Sequence, residues 1–375
     1  MGVSETDERN FLLALATCPA LEPETLRKLL DAFASPQALW EASPAEWADK
    51  VAIQPQTVSA LFAWQKRMDA TKVEDYLQRL HISVVVRGDS DYPASLQALH
   101  RPPRVLFYKG NIDVLRRPSV AVVGTRRASP YGLQATRFVS EYLAQKGVSI
   151  ISGLALGIDG EAHQTALAAS GGTCAVLACG VNLCYPPSHR NLYERICQNG
   201  LVCAEYAPGS AVAKFRFPDR NRIISALADA TIVVQAGIKS GALRTADTAL
   251  EIGKEVHVVP GPITSIHFRG GHRLLQEGAQ ILVDPVDFLA YAKESYGWLL
   301  CDEESQTGKT EIPIPTRWQS LYDAVDMGTR AERLSEVLAI PIQHVYAGVL
   351  ELELLGVLVR TPDGLISRHS DVKGG

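Results

Sequence analysis

The chain has 375 residues, 46% of them hydrophobic and 21% charged, with a formal net charge of -4. That length fits two or three domains with at least one sizeable core, and the acidic balance excludes a protein that coats nucleic acid with its whole surface. No apolar run approaches the roughly 18 residues of a membrane helix; the start MGVSETDERN is too polar for a secretory signal, and seven cysteines without a CxxC pair are expected as buried thiols of a cytoplasmic protein, not a zinc or disulfide framework.

Residues 1–76 are expected to be helical throughout. FLLALATCPALEPETLRKLLDAF carries apolar residues at helical spacing around a Pro19–Pro23 turn, and a second such unit ends near AIQPQTVSALFAW. The outline is that of paired helix-hairpin-helix or SAM-like repeats, without the glycines that let such a hairpin approach phosphate.

Residues 77–292 change to strands. ISVVVRG and PPRVLFYKG come first, and then VAVVG opens an alternating series. The strands VSIIS, GTCAVLACG, LVCAEYA, ATIVVQAG, EVHVVPGPI and AQILVD follow, with helices between most of them. Apolar, β-branched strands alternating with amphipathic helices predict an α/β fold with a doubly wound, mostly parallel sheet. Residues 293–316 (with CDEESQTGKTEIPIPT) have the composition of a linker. Residues 317–375 predict three short helices and two strands around a Pro-Asp-Gly turn, the order of a winged helix. Its third helix carries Glu351 and Glu353 and no cation, and the segment holds eight acids against six bases. Groove reading needs phosphate-neutralising cations there, so this domain is expected to bind protein.

Four segments fall at the carboxyl ends of the predicted parallel strands, where doubly wound folds bind ligands. The first is GTRRASP. Gly124 allows a tight turn, Thr125, Arg126 and Arg127 follow, and Ser129–Pro130 opens a helix whose free N–H groups favour an anion. The second is ISGLALGID, with Ser152, Gly153, Gly157 and Asp159, and His163 beyond. His163 is expected as a satisfied core residue and Asp159 as a cap or turn acceptor. The third is KFRFPDRNR, a loop with Lys214, Arg216, Arg220 and Arg222 against Asp219 alone. The fourth is GIKSGALRTA, where Lys239, Ser240 and Gly241 precede a helix with Arg244 and Thr245.

Absences narrow the ligand. There is no GxGxxG, GxxxxGK[ST], GxSxG or HExxH, so dinucleotide, P-loop, elbow-serine and zinc-protease chemistries drop out. Phe215 and Phe217 alternate with Lys214 and Arg216, a pattern suited to single-stranded nucleic acid, whose bases stack while its phosphates meet cations.

VAVVGTRRASPYG, ISGLALGIDGEAH, YPPSHRNLYERI, FPDRNRIISALA, SGALRTADTAL and VVPGPI, in this order, resemble the DNA-processing protein A (DprA/Smf) family, as do DYPASLQAL and PPRVLFYKG ahead of them. The resemblance runs from about Asp91 to Asp284. It implies an extended Rossmann-like domain in a bacterial cytosolic protein that binds and protects single-stranded DNA, forms a homodimer, and loads a RecA-type recombinase during natural transformation. No catalysis and no cofactor or metal are implied. With the basic loops, the expected DNA-binding set is Gly124, Thr125 and Arg126; Ser152 and Gly153; Lys214, Phe217, Arg220, Asn221 and Arg222; and Lys239, Ser240 and Gly241. The sequence departs from the family's usual residues at Gln235, where Glu is usual, and at Gly271–His272, where Thr-Asn is usual. The rival expectation is a phosphoribohydrolase-type enzyme on a nucleoside monophosphate, with Asp247 as the nearest acid in KSGALRTAD.

Overall fold

Prolines set the first helices. Pro23, Pro36, Pro44 and Pro55 each stand in the first turn of a helix, where the missing N–H is no loss, and the hydroxyls of Ser35 and Ser43 cap two of these helices. The computed structural model describes residues 5–169, 171–298, 314–325, 328–361 and 364–368. Most of the 293–316 linker, and Pro362 and Asp363 of the Pro-Asp-Gly turn, lie outside the described residues. The chain divides into two units between residues 301 and 302. Residue 76 is not a break in packing: Leu13, Leu29, Trp47 and Leu61 of the helices share a buried cluster with Phe107, Ala175 and Val202 of the sheet. The apolar face of the sheet at these strands needs a cover, and the amphipathic helices supply it.

Each apolar run named above forms a strand: β1 (Ser83–Val86), β2 (Val105–Gly110), β3 (Ser119–Gly124), β4 (Ser149–Ser152), β5 (Thr173–Val176) and β6 (Leu201–Ala204). β7 (Ala230–Gln235), β8 (Val256–Val258) and β9 (Gln280–Ile281) complete the sheet. Their order is β1-β2-β6-β5-β4-β3-β7-β8-β9. β1 and β2 run antiparallel to their neighbours, and all pairs from β6 to β9 are parallel. β3 is buried on both faces: Val120 and Val122 pack with Val139 and Leu143 of the helix Pro130–Gln145, while Ala121 and Val123 pack with Ile223 and Ile224 of the helix Arg216–Leu227.

From β3 the chain builds outward through β4, β5 and β6, then returns to place β7, β8 and β9 on the other side of β3. The order therefore reverses between β3 and β7. A crevice opens at such a switch point, because the flanking connections leave it in opposite directions.

One element differs from its expectation. The helix expected over RNRIISALA starts a turn earlier, so that Arg216 to Asp219 of the expected loop KFRFPDRNR belong to the helix Arg216–Leu227. Pro218 does not break it, since N–H groups of a first helical turn have no partner to lose.

In the second unit, the helices Gln319–Ala324, Ala331–Leu338 and Ile342–Leu354 precede an antiparallel pair, β10 (Leu358–Arg360) and β11 (Ile366–Arg368). Leu321, Leu334, Val345 and Val349 form its core. Both acids of the third helix are held internally, Glu351 by Arg317 and Trp318 and Glu353 by Arg360. Among the described residues, no single helix is long and apolar enough to cross a membrane.

Candidate functional site

At the end of β3, Gly124 is required by space: a Cβ there would stand 2.5 Å from Cγ1 of Ile158. The turn after it is fixed from both sides. Thr125 N donates to the Gln235 carbonyl at 2.8 Å, Ile158 N donates to the Thr125 carbonyl at 3.3 Å, and Thr125 Oγ1 accepts from Arg127 N at 3.2 Å. Ser129 Oγ accepts from Gly132 N at 3.1 Å and so caps the helix Pro130–Gln145. Gln235, buried at the end of β7, holds this cap with Oε1, which accepts from Ser129 N at 2.9 Å and from Ser129 Oγ at 3.2 Å. Its Nε2 is buried without a partner among the described residues. At the other departure, His272 is hydrogen-bonded to the Gly261 carbonyl and Gly271 packs on Val258; neither residue lines the crevice.

Gly157 locks the second segment onto the first. It has φ +77°, and a Cβ there would press on the Thr125 carbonyl oxygen and lie 2.9 Å from the Arg126 carbonyl carbon. Gly157→Ala is expected to lower stability by about 2 kcal/mol, from left-handed strain plus the clash, read as a shifted denaturation midpoint at constant slope. An unchanged midpoint would show that the two turns are not interlocked.

Ser152 does not face the crevice. It is fully buried, and its hydroxyl donates to the Val122 carbonyl at 2.6 Å, stitching β4 to β3. Gly153 lies beneath the Arg220 guanidinium, where a Cβ would meet Nη2 at 2.5 Å. Asp159 Oδ2 accepts from Gly153 N at 3.2 Å. Burial raises the Asp159 pKa, opposed by the charges of Arg220 and Arg126. His163 is fully buried with both ring nitrogens satisfied: Nε2 accepts from Leu154 N at 3.3 Å and Nδ1 lies 2.7 Å from Thr173 Oγ1. Both residues take the structural places expected of them.

The helix Arg216–Leu227 presents Phe217, Arg220, Asn221 and Ile224 to the crevice, the i, i+3, i+4, i+7 stripe of one helical face. Arg220, 3% exposed, donates through Nη1 to the Gly153 carbonyl at 2.8 Å and to the Val176 carbonyl, and through Nε to Asn221 Oδ1 at 3.2 Å. Burial lowers its pKa, and Asp159 opposes that shift. Asn221 Nδ2 carries the chain of contacts on to the Gly241 carbonyl at 3.3 Å. Ser240 caps the helix Gly241–Glu251, accepting from Ala242 N at 3.3 Å.

The crevice is thus lined by Gly124, Thr125, Arg126, Phe217, Arg220, Asn221, Ser240 and Gly241 from the expected set. Lys214 and Lys239 are exposed but outside its lining, and Arg222 faces elsewhere, ion-paired with Glu205 and Asp219. Arg127, Arg244 and His267 also line it and were not in that set. For Arg244 the signal was there: it sits one helical turn past a serine cap.

Among the described residues, Asp159 is the one acid in the lining, against Arg126, Arg127, Arg220 and Arg244. Arg126 is exposed and lies over the Phe217 ring at 4.8 Å, with Tyr185 against the same ring at 5.7 Å. Two capped helix N-termini, three outward guanidiniums and an aromatic face give a site for a polyanion with planar groups. Among the described residues no cysteine lines it and no cluster of metal-ligating side chains occurs.

The sequence model of the family described as DNA recombination-mediator protein A matches residues 83–293, a span that contains the whole crevice. The chain is 30% identical over 391 residues to Protein Smf of Synechocystis sp., covering 95% of this chain and 97% of that relative. It is similar to the crystal structure of DNA processing protein A from Streptococcus pneumoniae, with TM-score 0.63 and 33% identity over 77% of this chain and 98% of that one. A structure of DNA processing protein A from Helicobacter pylori, described for its unique single-stranded DNA binding mode, aligns with TM-score 0.53 and 32% identity over 57% of this chain and 96% of that one.

Proposed function

The chain belongs to the DNA recombination-mediator protein A family, and from that premise we propose that its crevice holds single-stranded DNA. The protein protects the strand and passes it to a RecA-type recombinase during natural transformation, working in the cytoplasm as a homodimer. Its sheet is the extended Rossmann-like domain of this arrangement, and its C-terminal unit is a winged helix that meets protein, not duplex DNA. The observation that carries the reading is Arg126, an exposed guanidinium with no ion pair among the described residues, stacked on Phe217 at a switch point bordered by two helix N-termini. A phosphate on the guanidinium and a base beside the ring is the pairing that single strands offer and duplexes withhold. The role is mediation without catalysis: His163 is tied into the core, and Asp247, the acid of the phosphoribohydrolase alternative, is exposed outside the crevice.

Fluorescence anisotropy with labelled oligo(dT) tests this. If about four phosphates are neutralised, log K falls against log salt with a slope of about -3. Arg126→Ala is expected to reduce that slope by about 0.7 and to weaken dT and dC oligonucleotides alike, because backbone contacts carry no sequence information. Salt-independent binding, or a preference for duplex, would remove the reading.

A further inference from the structure

The helix Arg216–Leu227 faces two ways. Phe217, Arg220 and Asn221 line the crevice, whereas Arg216, Asp219 and Arg222 lie outside its lining and reach toward the N-terminal helices and their neighbours. Arg216 is the link. It is 6% exposed, and its guanidinium makes a bidentate pair with Glu22, Nε donating to Oε2 at 3.1 Å and Nη2 to Oε1. Nη1 donates to the Ala211 carbonyl at 2.6 Å, and the guanidinium lies over the Tyr206 ring at 4.7 Å. Tyr206 Oη in turn sits 3.3 Å from Asp219 Oδ2 and 3.4 Å from the Arg216 carbonyl.

This turn needs the help. Its N-cap position is Phe215, which supplies no side-chain hydrogen bond, unlike Ser129 and Ser240, whose hydroxyls cap the helices Pro130–Gln145 and Gly241–Glu251. An uncapped first turn frays unless tertiary contacts hold it. Here the contacts come from behind, from residue 22 of a segment 194 positions away.

We infer that Glu22 is a positioning residue for the crevice: through Arg216 the N-terminal helical segment holds the turn that carries Phe217, so docking of that segment sets affinity for the strand. The consequence for binding rests on the single-stranded DNA reading above; the tether itself does not. Simple electrostatics predicts the opposite sign, since removing a carboxylate near a polyanion site would tighten binding.

The test uses the full chain, with Glu22→Gln and, from the other side, Arg216→Gln. Hydrogen exchange is followed without DNA on the peptide spanning residues 216–224, and oligo(dT) affinity by anisotropy across salt. Both variants are expected to exchange faster in that peptide. Glu22→Gln is expected to bind roughly fivefold more weakly, with an unchanged salt slope because no phosphate contact is lost. Unchanged exchange in both variants would overturn the inference. So would faster exchange with affinity equal to or above wild type. A wild-type protein that binds no oligo(dT) would instead defeat the strand-binding reading, and exchange alone would then decide whether Glu22 holds the turn.

Discussion

Arg220→Ala is expected to abolish saturable oligo(dT) binding and to lower stability by about 3 kcal/mol, whereas Arg126→Ala weakens binding and leaves the melting temperature where it was. The two arginines differ by environment. Arg126 is exposed and stacks on Phe217, so its loss removes one cation and one planar contact. Arg220 is buried and joins three elements, donating to the ends of β4 and β5 at Gly153 and Val176 and to Asn221 on its own helix. Truncation would leave those carbonyls without donors and Asp159 buried with its strongest compensating charge gone. The Asn221 contact to Gly241 would lose its anchor, and with it the spacing between the two helices bordering the crevice.

Arg220→Lys separates charge from shape. A lysine keeps the positive charge but not the fork that reaches two carbonyls and an amide at once, so it is expected to melt nearly as early as the alanine variant. Thermal melts and anisotropy on the three variants decide the matter. If Arg220→Ala melts with wild type and still binds, or if lysine restores both properties, the keystone role assigned to Arg220 is wrong.

The strands were legible because their signals are local. Val120 to Val123 and Thr231 to Val234 are apolar, β-branched runs ended by polar or glycine residues, and such runs lie buried in a sheet wherever the chain puts them. The Ser129–Pro130 and Ser240–Gly241 helix starts were legible for the same reason, since a cap is decided within three residues. What sequence did not reveal is which cations are engaged. Arg220 meets a carbonyl 67 residues away and Arg216 a carboxylate 194 away, so nothing near either residue in the chain shows that its guanidinium is already bound. Ser152 resembles a phosphate-binding hydroxyl in its glycine setting, yet the alternation of β4 turns it inward to Val122. The first turn of Arg216–Leu227 was hidden by Pro218 and two aromatics, a composition shared by loops and helix starts. Gln235 marks a different limit: sequence identified it as a departure, but its hold on Ser129 depends on β7 lying beside β3.

His163 is expected to make the fold acid-labile. Both ring nitrogens are used, Nε2 as acceptor from Leu154 N and Nδ1 toward Thr173 Oγ1, whose own proton goes to the Ile150 carbonyl at 2.6 Å. That fixes the neutral tautomer with the proton on Nδ1; a second proton on Nε2 would face an N–H donor. Burial pushes the pKa down to about 3, with His189 and Arg220 adding repulsion. The unfolded chain binds this proton near pH 6.5 and the folded one only near 3, so the unfolded state holds more protons between those values. Stability is therefore full above about pH 6.5 and falls as pH drops, approaching about 1.4 kcal/mol per unit and totalling about 4 kcal/mol by pH 3. His257, whose pKa burial also lowers, adds in the same direction, while Asp159 and Glu205, raised by burial, act oppositely. The difference between wild type and His163→Gln isolates the one group. Denaturant midpoints at pH 7.5, 6.0 and 5.0 should show the variant weaker at pH 7.5, because a buried partner is lost, but flatter with pH. Parallel pH profiles for the two proteins would mean that His163 takes up its proton in the folded state and that the neutral network is not what holds β4 to β5.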